Sequence, residues 1–322
     1  MNLPTAWDVY AASKRLQGVV FTTPVLESSA LNERLGAEIV FKCENLQYTG
    51  SFKFRGAYNA LSGLSGQERR KGVLTLSSGN HAQAVALVGR MLDVPVTVVM
   101  PNNASRSKRV ATEEYGARVM DFDPATTSRE TVTLELLEET GMTFIPPFDH
   151  PRVIAGQGTA GLELMSQENE IGTVLVPCGG GGLLSGMALA CKAENTNCRM
   201  IGVEPELADD AARSFAAKSL HSVHNPQTIA DGTRTPSLGE LTFPLILQHV
   251  DDMVTVREES IKQAVRFFIR QMKIVVEPSG ALGLAALLQG VVQPQSKTAV
   301  LISGGNVDDS VLAGLLIQEE GD

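Results

Sequence analysis

Cysteine is scarce: the chain has four in 322 residues, and no two stand as C-x-x-C. Cys43, Cys178, Cys191 and Cys198 therefore offer neither a disulfide framework nor a zinc motif. They read as small buried residues of a reducing compartment. Aromatic residues make up only 5%, which suits an aliphatic-rich parallel α/β protein. Basic clusters are missing and the formal charge is -9, so nothing could track a phosphodiester backbone and no nucleic acid partner is expected. No stretch is apolar for long enough to cross a bilayer, and residues 1–8 lack a basic n-region and an apolar h-region. The expectation is a cytoplasmic protein with no membrane partner.

What the chain has is aliphatic bulk and glycine. At 43% hydrophobic content, it can bury a large core in one large or two modest domains. Short β-rich runs at 73–77, 96–100, 118–122, 173–176, 200–203 and 298–302 alternate with helical patterns near 81–91, 107–115, 128–139 and 156–168. That rhythm predicts right-handed βαβ units and parallel sheets. Punctuation at Gly63-Leu64-Ser65-Gly66-Gln67 and at Pro146-Pro147-Phe148-Asp149-His150-Pro151 predicts a small α/β domain over 67–146. A larger, discontinuous domain is then made from 1–66 and 147–322. Residues 221–241, rich in Pro, Thr, Ser and Gly, read as a long loop of the kind that carries function.

Four polar signatures fall at predicted strand ends or helix starts, where ligands of open α/β sheets collect. The strongest is Gly179-Gly180-Gly181-Gly182, between an apolar run and a helical pattern. Residues without a Cβ let successive amides close on one oxyanion, and the helix adds its positive end. A phosphate cup is expected; a tight turn with close helix–strand packing needs only one or two glycines. In Thr49-Gly50-Ser51-Phe52-Lys53-Phe54-Arg55-Gly56, Ser51 is predicted to cap a helix and place Lys53 in its first turn. The helix field and the flanking phenylalanines would lower the lysine pKa toward a usable nucleophilic amine; a surface lysine is the plainer alternative. In Ser77-Ser78-Gly79-Asn80-His81, Asn80 can bond a ring hydroxyl or a carboxylate beside an anion nest. In Ser303-Gly304-Gly305-Asn306, Ser303 can bond a heteroaromatic nitrogen.

In this order, S-F-K-x-R-G, S-G-N-H, G-G-G-G and S-G-G-N resemble the fold-type II pyridoxal-5′-phosphate enzymes. Within them the chain is most similar to the serine/threonine dehydratases and their serine racemase branch. The resemblance covers nearly the whole chain and includes Val153–Thr159, Ile229–Gly232 and Val276-Glu277-Pro278. It implies an α/β fold of two open, twisted, mostly parallel sheets flanked by helices, like the tryptophan synthase β subunit. It also implies that Lys53 carries the cofactor covalently, with Phe52 beside the ring and Asn80 on the ring oxygen. Gly179, Gly180, Gly181, Gly182 and Leu183 would hold the phosphate, and Ser303 would face the ring nitrogen.

Ser78 stands where plain threonine dehydratases carry alanine. It is expected as the acid/base opposite Lys53. Substrate contacts would come from Ser78, His81 and Arg129, the last toward a second carboxylate. Glu204, Asp210 and the carbonyl of Ala208 resemble the family's divalent-cation loop, suited to Mg²⁺ or Ca²⁺, with Mn²⁺ an option. In a dinucleotide fold Glu204 would instead be a ribose-binding acid. Ser28, Ser29, Thr49, Tyr115, Lys273 and Asn306 match positions that hold a nucleotide in serine racemase. Tyr48 replaces a lysine there, so ATP regulation is expected to be weak, by the loss of a charged hydrogen bond. A homodimer is usual in the family. His221 and His224 lack a third ligand for zinc, and Cys178 lacks a basic partner.

The implied activity is β-elimination from a hydroxy amino acid, such as serine, threonine or threo-3-hydroxyaspartate, to a keto acid and ammonia. Serine racemisation is a companion outcome or, alternatively, the main one. From other classes, a nicotinamide-dependent dehydrogenase lacks G-x-G-x-x-G between Gly179 and Gly186, and a silent ligand sensor would not need Lys53.

Overall fold

A computed structural model describes residues 2–104 and 106–317. Among these residues ten strands form two sheets: β1 (Val25–Glu27), β2 (Ile39–Cys43), β3 (Val73–Leu76), β4 (Val96–Pro101), β5 (Arg118–Phe122), β6 (Thr143–Phe144), β7 (Thr173–Pro177), β8 (Arg199–Pro205), β9 (Asp252–Val256) and β10 (Thr298–Ile302). One sheet has the order β1-β2-β10-β7-β8-β9, the other β5-β4-β3-β6. Every pairing is parallel except β1 with β2. The expected pair of open, mostly parallel sheets flanked by helices is therefore present. β2, β7 and β10 are buried along their whole length; β7 and β10 read as continuous apolar runs rather than as alternating ones, while Lys42 interrupts the run in β2.

The helices behind the site pack unusually closely. Helix Pro151–Gln167 lies against helix Gly182–Glu194. A Cβ on Gly158 would fall 2.5 Å from the Gly186 carbonyl oxygen, and one on Gly186 would fall 2.3 Å from that of Ile154. Only glycine permits this contact, and it fixes the helix that follows the glycine run.

A charged cluster sits inside this packing. Arg55 donates Nε to Glu44 Oε2 and Nη2 to Glu44 Oε1, both at 2.7 Å, and reaches the two carboxylate oxygens of Glu163 at 3.1 Å. Lys42 Nζ donates to Thr23 O at 2.8 Å, Glu163 Oε1 at 2.5 Å and Gln167 Oε1 at 2.6 Å. Two cations thus face two carboxylates, all buried except Glu163, which is 15% exposed. The cluster joins β2, helix Lys53–Ser62 and helix Pro151–Gln167.

Helix ends follow the expected patterns to within a few residues, with two corrections. Helix Pro151–Gln167 starts earlier than position 156, with proline in its first turn. Ser51 does not cap helix Lys53–Ser62. It is extended (φ -162°), forms an isolated bridge with Gly304, and leaves its buried hydroxyl without a partner. The bridge dominates because Phe52 N also donates to Ser303 O at 3.1 Å, and Gly305 N to Gly50 O at 2.9 Å.

Candidate active site

These backbone bonds dock the lysine segment onto the loop after β10. The loops after β3 and β7 reach the same place. They enclose a cavity of about 510 Å³ whose lining includes Phe52, Lys53, Ser78, Asn80, His81, Arg129, Gly179, Gly180, Gly181, Gly182, Leu183 and Ser303. Sequence positions as far apart as Phe52 and Ser303 therefore meet at the carboxyl ends of strands from both sheets. Residues 231–235 of the long loop join them.

Lys53 opens its helix and donates Nζ to Pro147 O at 2.7 Å, with the ammonium 5.0 Å from the Phe52 ring centroid. Burial pushes its pKa down to about 8, against the opposing pull of Glu277. His81 is also buried. Its Nε2 lies 3.2 Å from Ile145 O and must carry the hydrogen, because a carbonyl only accepts; Nδ1 has no partner. Burial first, then the Lys53 charge, hold His81 down at about 3, so it stays neutral. Asn80 donates Nδ2 to Glu277 Oε1 at 2.8 Å and accepts from Asn306 Nδ2 at 2.9 Å, which leaves one amide hydrogen for a ligand. Arg129, half exposed at the cavity rim, pairs with its neighbour Glu130 at 2.7 Å.

The glycine run completes the cavity wall. Among the described residues nothing accepts from the amides of Gly179, Gly180, Gly181, Gly182 or Leu183. Gly181 has φ +87°, in the left-handed region. A Cβ on Gly180 would meet Phe148 ring carbons at 2.4–2.5 Å, and one on Gly181 would meet Thr242 Cβ at 2.9 Å. Five unpartnered donors beside a helix N-terminus form a cradle for a multivalent anion, and a lysine amine faces the same space.

The profile of the pyridoxal-phosphate dependent enzymes matches residues 16–304. The chain belongs to that family. Similar proteins include the L-threo-3-hydroxyaspartate ammonia-lyase of Saccharomyces cerevisiae, 47% identical over 99% of this chain and 98% of that one. The serine racemase of Schizosaccharomyces pombe is 46% identical over 98% of both chains. The solved structure of maize serine racemase matches with a TM-score of 0.93 at 40% identity, over 97% of each chain. The nicotinamide-dependent and silent-sensor alternatives are thereby set aside.

The residues fit the family's cofactor: an amine that burial makes nucleophilic, a bare-backbone anion cradle and a flat ring, Phe52, beside the amine. The pyridoxal-phosphate enzyme also has site residues that sequence reasoning missed. Glu277 lines the cavity, and burial, then the charge of Asp231, push its pKa up to about 8. In the sequence it stands in Val276-Glu277-Pro278 with no role of its own, because a lone acid before proline carries no local pattern. Lys108 bridges to Asp231 across the cavity, linking the helix before β5 to the long loop.

Glu204, Ala208 and Asp210 lie outside the cavity lining, so Glu204 is not placed as a ribose acid would be. Its carboxylate accepts from Ala212 N at 2.8 Å and Ala211 N at 3.3 Å. Both Asp210 carboxylate oxygens are buried without a partner. Burial pushes Asp210 up to about 7, and burial, then Asp210, push Glu204 well above its usual range. Two adjacent buried acids, one of them with both oxygens orphaned, fit a hard cation. No group of three His, Cys, Asp or Glu side chains that could hold a metal occurs among the described residues, so a cation here would depend on backbone oxygen. Cys178 is buried and its thiol is pushed well above its usual range, first by burial and then by these acids.

At the positions matching a nucleotide site, Ser28 caps helix Ser29–Leu35 and Thr49 has φ +56°. Asn306 donates to Thr49 O at 2.7 Å. Tyr115 lies under Arg90, with the guanidinium 5.7 Å from its ring centroid, and Lys273 Nζ donates to Arg270 O. Tyr48 stacks on Phe21 at 4.0 Å between centroids.

Proposed function

We propose that the chain removes the β-hydroxyl of a small hydroxy amino acid, releasing a keto acid and ammonia, with racemisation of serine as a side outcome of the same site. The observation that carries this reading is the meeting of Lys53, Ser78 and the five unpartnered amides in one cavity. Pyridoxal phosphate supplies an electron-withdrawing ring that acidifies the α-carbon of an amino acid joined to it. Gly179 to Leu183 would hold its phosphate, Asn80 would bond its ring oxygen with the remaining amide hydrogen, and Ser303 would face its ring nitrogen. A hydroxyl does not hold a ring proton as a carboxylate does, so Ser303 would favour elimination and quick reprotonation over transamination.

Lys53 Nζ, with its pKa near 8, is suited to take the α-proton and return it. Ser78 Oγ would protonate the other face of the same carbon, which gives the inverted amino acid. His81, neutral, would orient substrate rather than exchange protons. Phe148 and Leu183 line the cavity with apolar surface and would shield the reacting carbon from water. Arg129 would turn from Glu130 to a second substrate carboxylate, which favours threo-3-hydroxyaspartate; the 47% identity to a hydroxyaspartate ammonia-lyase supports this choice. Glu204, Asp210 and the Ala208 carbonyl would bind Mg²⁺ or Ca²⁺ at a structural site. Residues 67–146 would form a small α/β domain beside the larger, discontinuous one of residues 1–66 and 147–322, and the assembly would be a homodimer. No nucleotide effector is assigned, because Tyr48 offers a stacked ring instead of a cation.

The test is an assay against L-serine, D-serine, L-threonine and threo-3-hydroxyaspartate, with Lys53→Ala and Arg129→Leu beside the native enzyme. Lys53→Ala should abolish turnover and the visible absorption of the bound cofactor. Arg129→Leu should reduce hydroxyaspartate turnover at least tenfold relative to serine. Full activity in Lys53→Ala refutes the mechanism, and an unchanged substrate ratio in Arg129→Leu refutes the second-carboxylate contact.

A further inference from the structure

The chain returns from β6 to helix Pro151–Gln167 through Pro147, Phe148 and Asp149. This short strap touches both ends of the site. Pro147 O accepts from Lys53 Nζ at 2.7 Å. Phe148 lies against the glycine run: besides its ring at Gly180, its own Cβ and carbonyl oxygen lie 2.9 and 3.0 Å from where a Gly182 Cβ would be. The run is therefore glycine partly because Phe148 fills that side.

Asp149 is not part of the cavity lining. Its Oδ2 accepts from Glu240 N at 2.9 Å, and its Oδ1 from Leu241 N at 2.9 Å and Thr242 N at 3.3 Å. A carboxylate is favoured there, at the opening amides of helix Thr242–His249. Asp149 thereby fixes Thr242. The Thr242 hydroxyl accepts from Gly239 N and donates to Gly180 O, both at 2.8 Å. Among the described residues no peptide is cis, and in a trans peptide C=O and N–H point in opposite directions. Pinning Gly180 O against Thr242 turns the Gly181 amide hydrogen the other way, toward the cavity that Gly180 and Gly181 line.

We infer that Asp149 is a positioning residue for the anion cradle. By capping helix Thr242–His249 it holds Thr242, whose hydroxyl sets the direction of the Gly180–Gly181 peptide. The inference rests on the reading of the glycine run as the phosphate site. It also ties the phosphate end to the lysine end, because one strap serves both.

The test measures cofactor release from the holoenzyme, as loss of visible absorption with a trap for free cofactor. It also measures the melting temperature of the cofactor-free and loaded forms, and the ³¹P resonance of bound cofactor. Asp149→Ala and Thr242→Val should each release cofactor at least tenfold faster than the native protein, with a shifted ³¹P resonance. Asp149→Asn keeps an oxygen for Leu241 and Thr242 and should fall between. Release at the native rate in Asp149→Ala, with both forms melting equally lower, makes Asp149 merely structural and overturns the inference. If Asp149→Ala does not fold, Thr242→Val and Asp149→Asn decide on the same readouts. Gly181→Ala separates the two layers. If it retains cofactor as the native protein does, the phosphate reading itself fails; if it releases cofactor while Asp149→Ala does not, only the role of Asp149 falls.

Discussion

Removing Arg55 should cost more stability than its size suggests, and removing Glu44 with it should recover part of that cost. In the native cluster Arg55 and Lys42 face Glu44 and Glu163. Arg55→Met leaves two buried carboxylates opposite one cation. Breaking a buried pair from one side typically costs about 3–5 kcal/mol, because the remaining charge is uncompensated. With an unfolding entropy of about 2.1 cal/mol/K per residue, a chain this long should lose about 4–7 °C in melting temperature. Glu44→Gln alone leaves one cation in excess and should cost a similar amount. The double variant restores one charge of each sign, so its loss should be smaller than the sum of the singles by at least about 1 kcal/mol. Thermal and denaturant melts of the cofactor-free proteins, under identical conditions, make a double-mutant cycle. Additivity within about 0.5 kcal/mol would refute the claim that these side chains act as one buried unit. The functional consequence is positional: Arg55 anchors the first turn of the helix whose first residue is Lys53.

Three further outcomes follow from Lys53 and from the acidic pair Glu204 and Asp210. With its pKa near 8, Lys53 should make the rate of cofactor attachment to the cofactor-free protein rise with pH and level off above about 8; a midpoint near 10.5 contradicts the burial argument. The folded value lies below the unfolded one, so the unfolded chain binds more protons between these pH values. The cofactor-free protein should therefore gain stability from about pH 8 to 10.5, and Lys53→Met should flatten that rise. At the acidic pair, Mg²⁺ or Ca²⁺ at a hundred times its dissociation constant should add about 2.7 kcal/mol, or roughly 4 °C in melting temperature, reversed by EDTA. Asp210→Asn should remove the response; a native protein indifferent to EDTA and added cation has no site there.

Much of the fold could be read locally. Parallel strands buried on both faces read as apolar runs, and that signal marks β3, β4, β7, β8 and β10; β5, largely exposed, is legible only from the strand–helix rhythm. β1 and β6 are too short to announce themselves, with three and two residues. β2 carries Lys42 and β9 carries Asp252, charges that a one-dimensional reading takes for a surface or a loop. All the proposed cofactor and substrate residues proved to line one cavity, because their motifs stand at strand ends and helix starts and parallel topology gathers such ends. Ser51 was misread because the capping rule is local, whereas its bridge to Gly304 spans about 250 residues.

The sequence alone determined most of the succession of strands and helices, the lysine that opens a helix at the cavity and the bare backbone of the glycine run. Each of these is set by side-chain periodicity or by the absence of a Cβ within a few residues. Only the tertiary structure decided which charges balance inside the core, that Glu277 borders the site, and that Asp149 and Thr242 orient the Gly180–Gly181 peptide. Those pairings depend on chain segments brought together by sheet and helix packing. Burial then fixes how strongly each group holds its proton or its partner, and no local pattern records that burial.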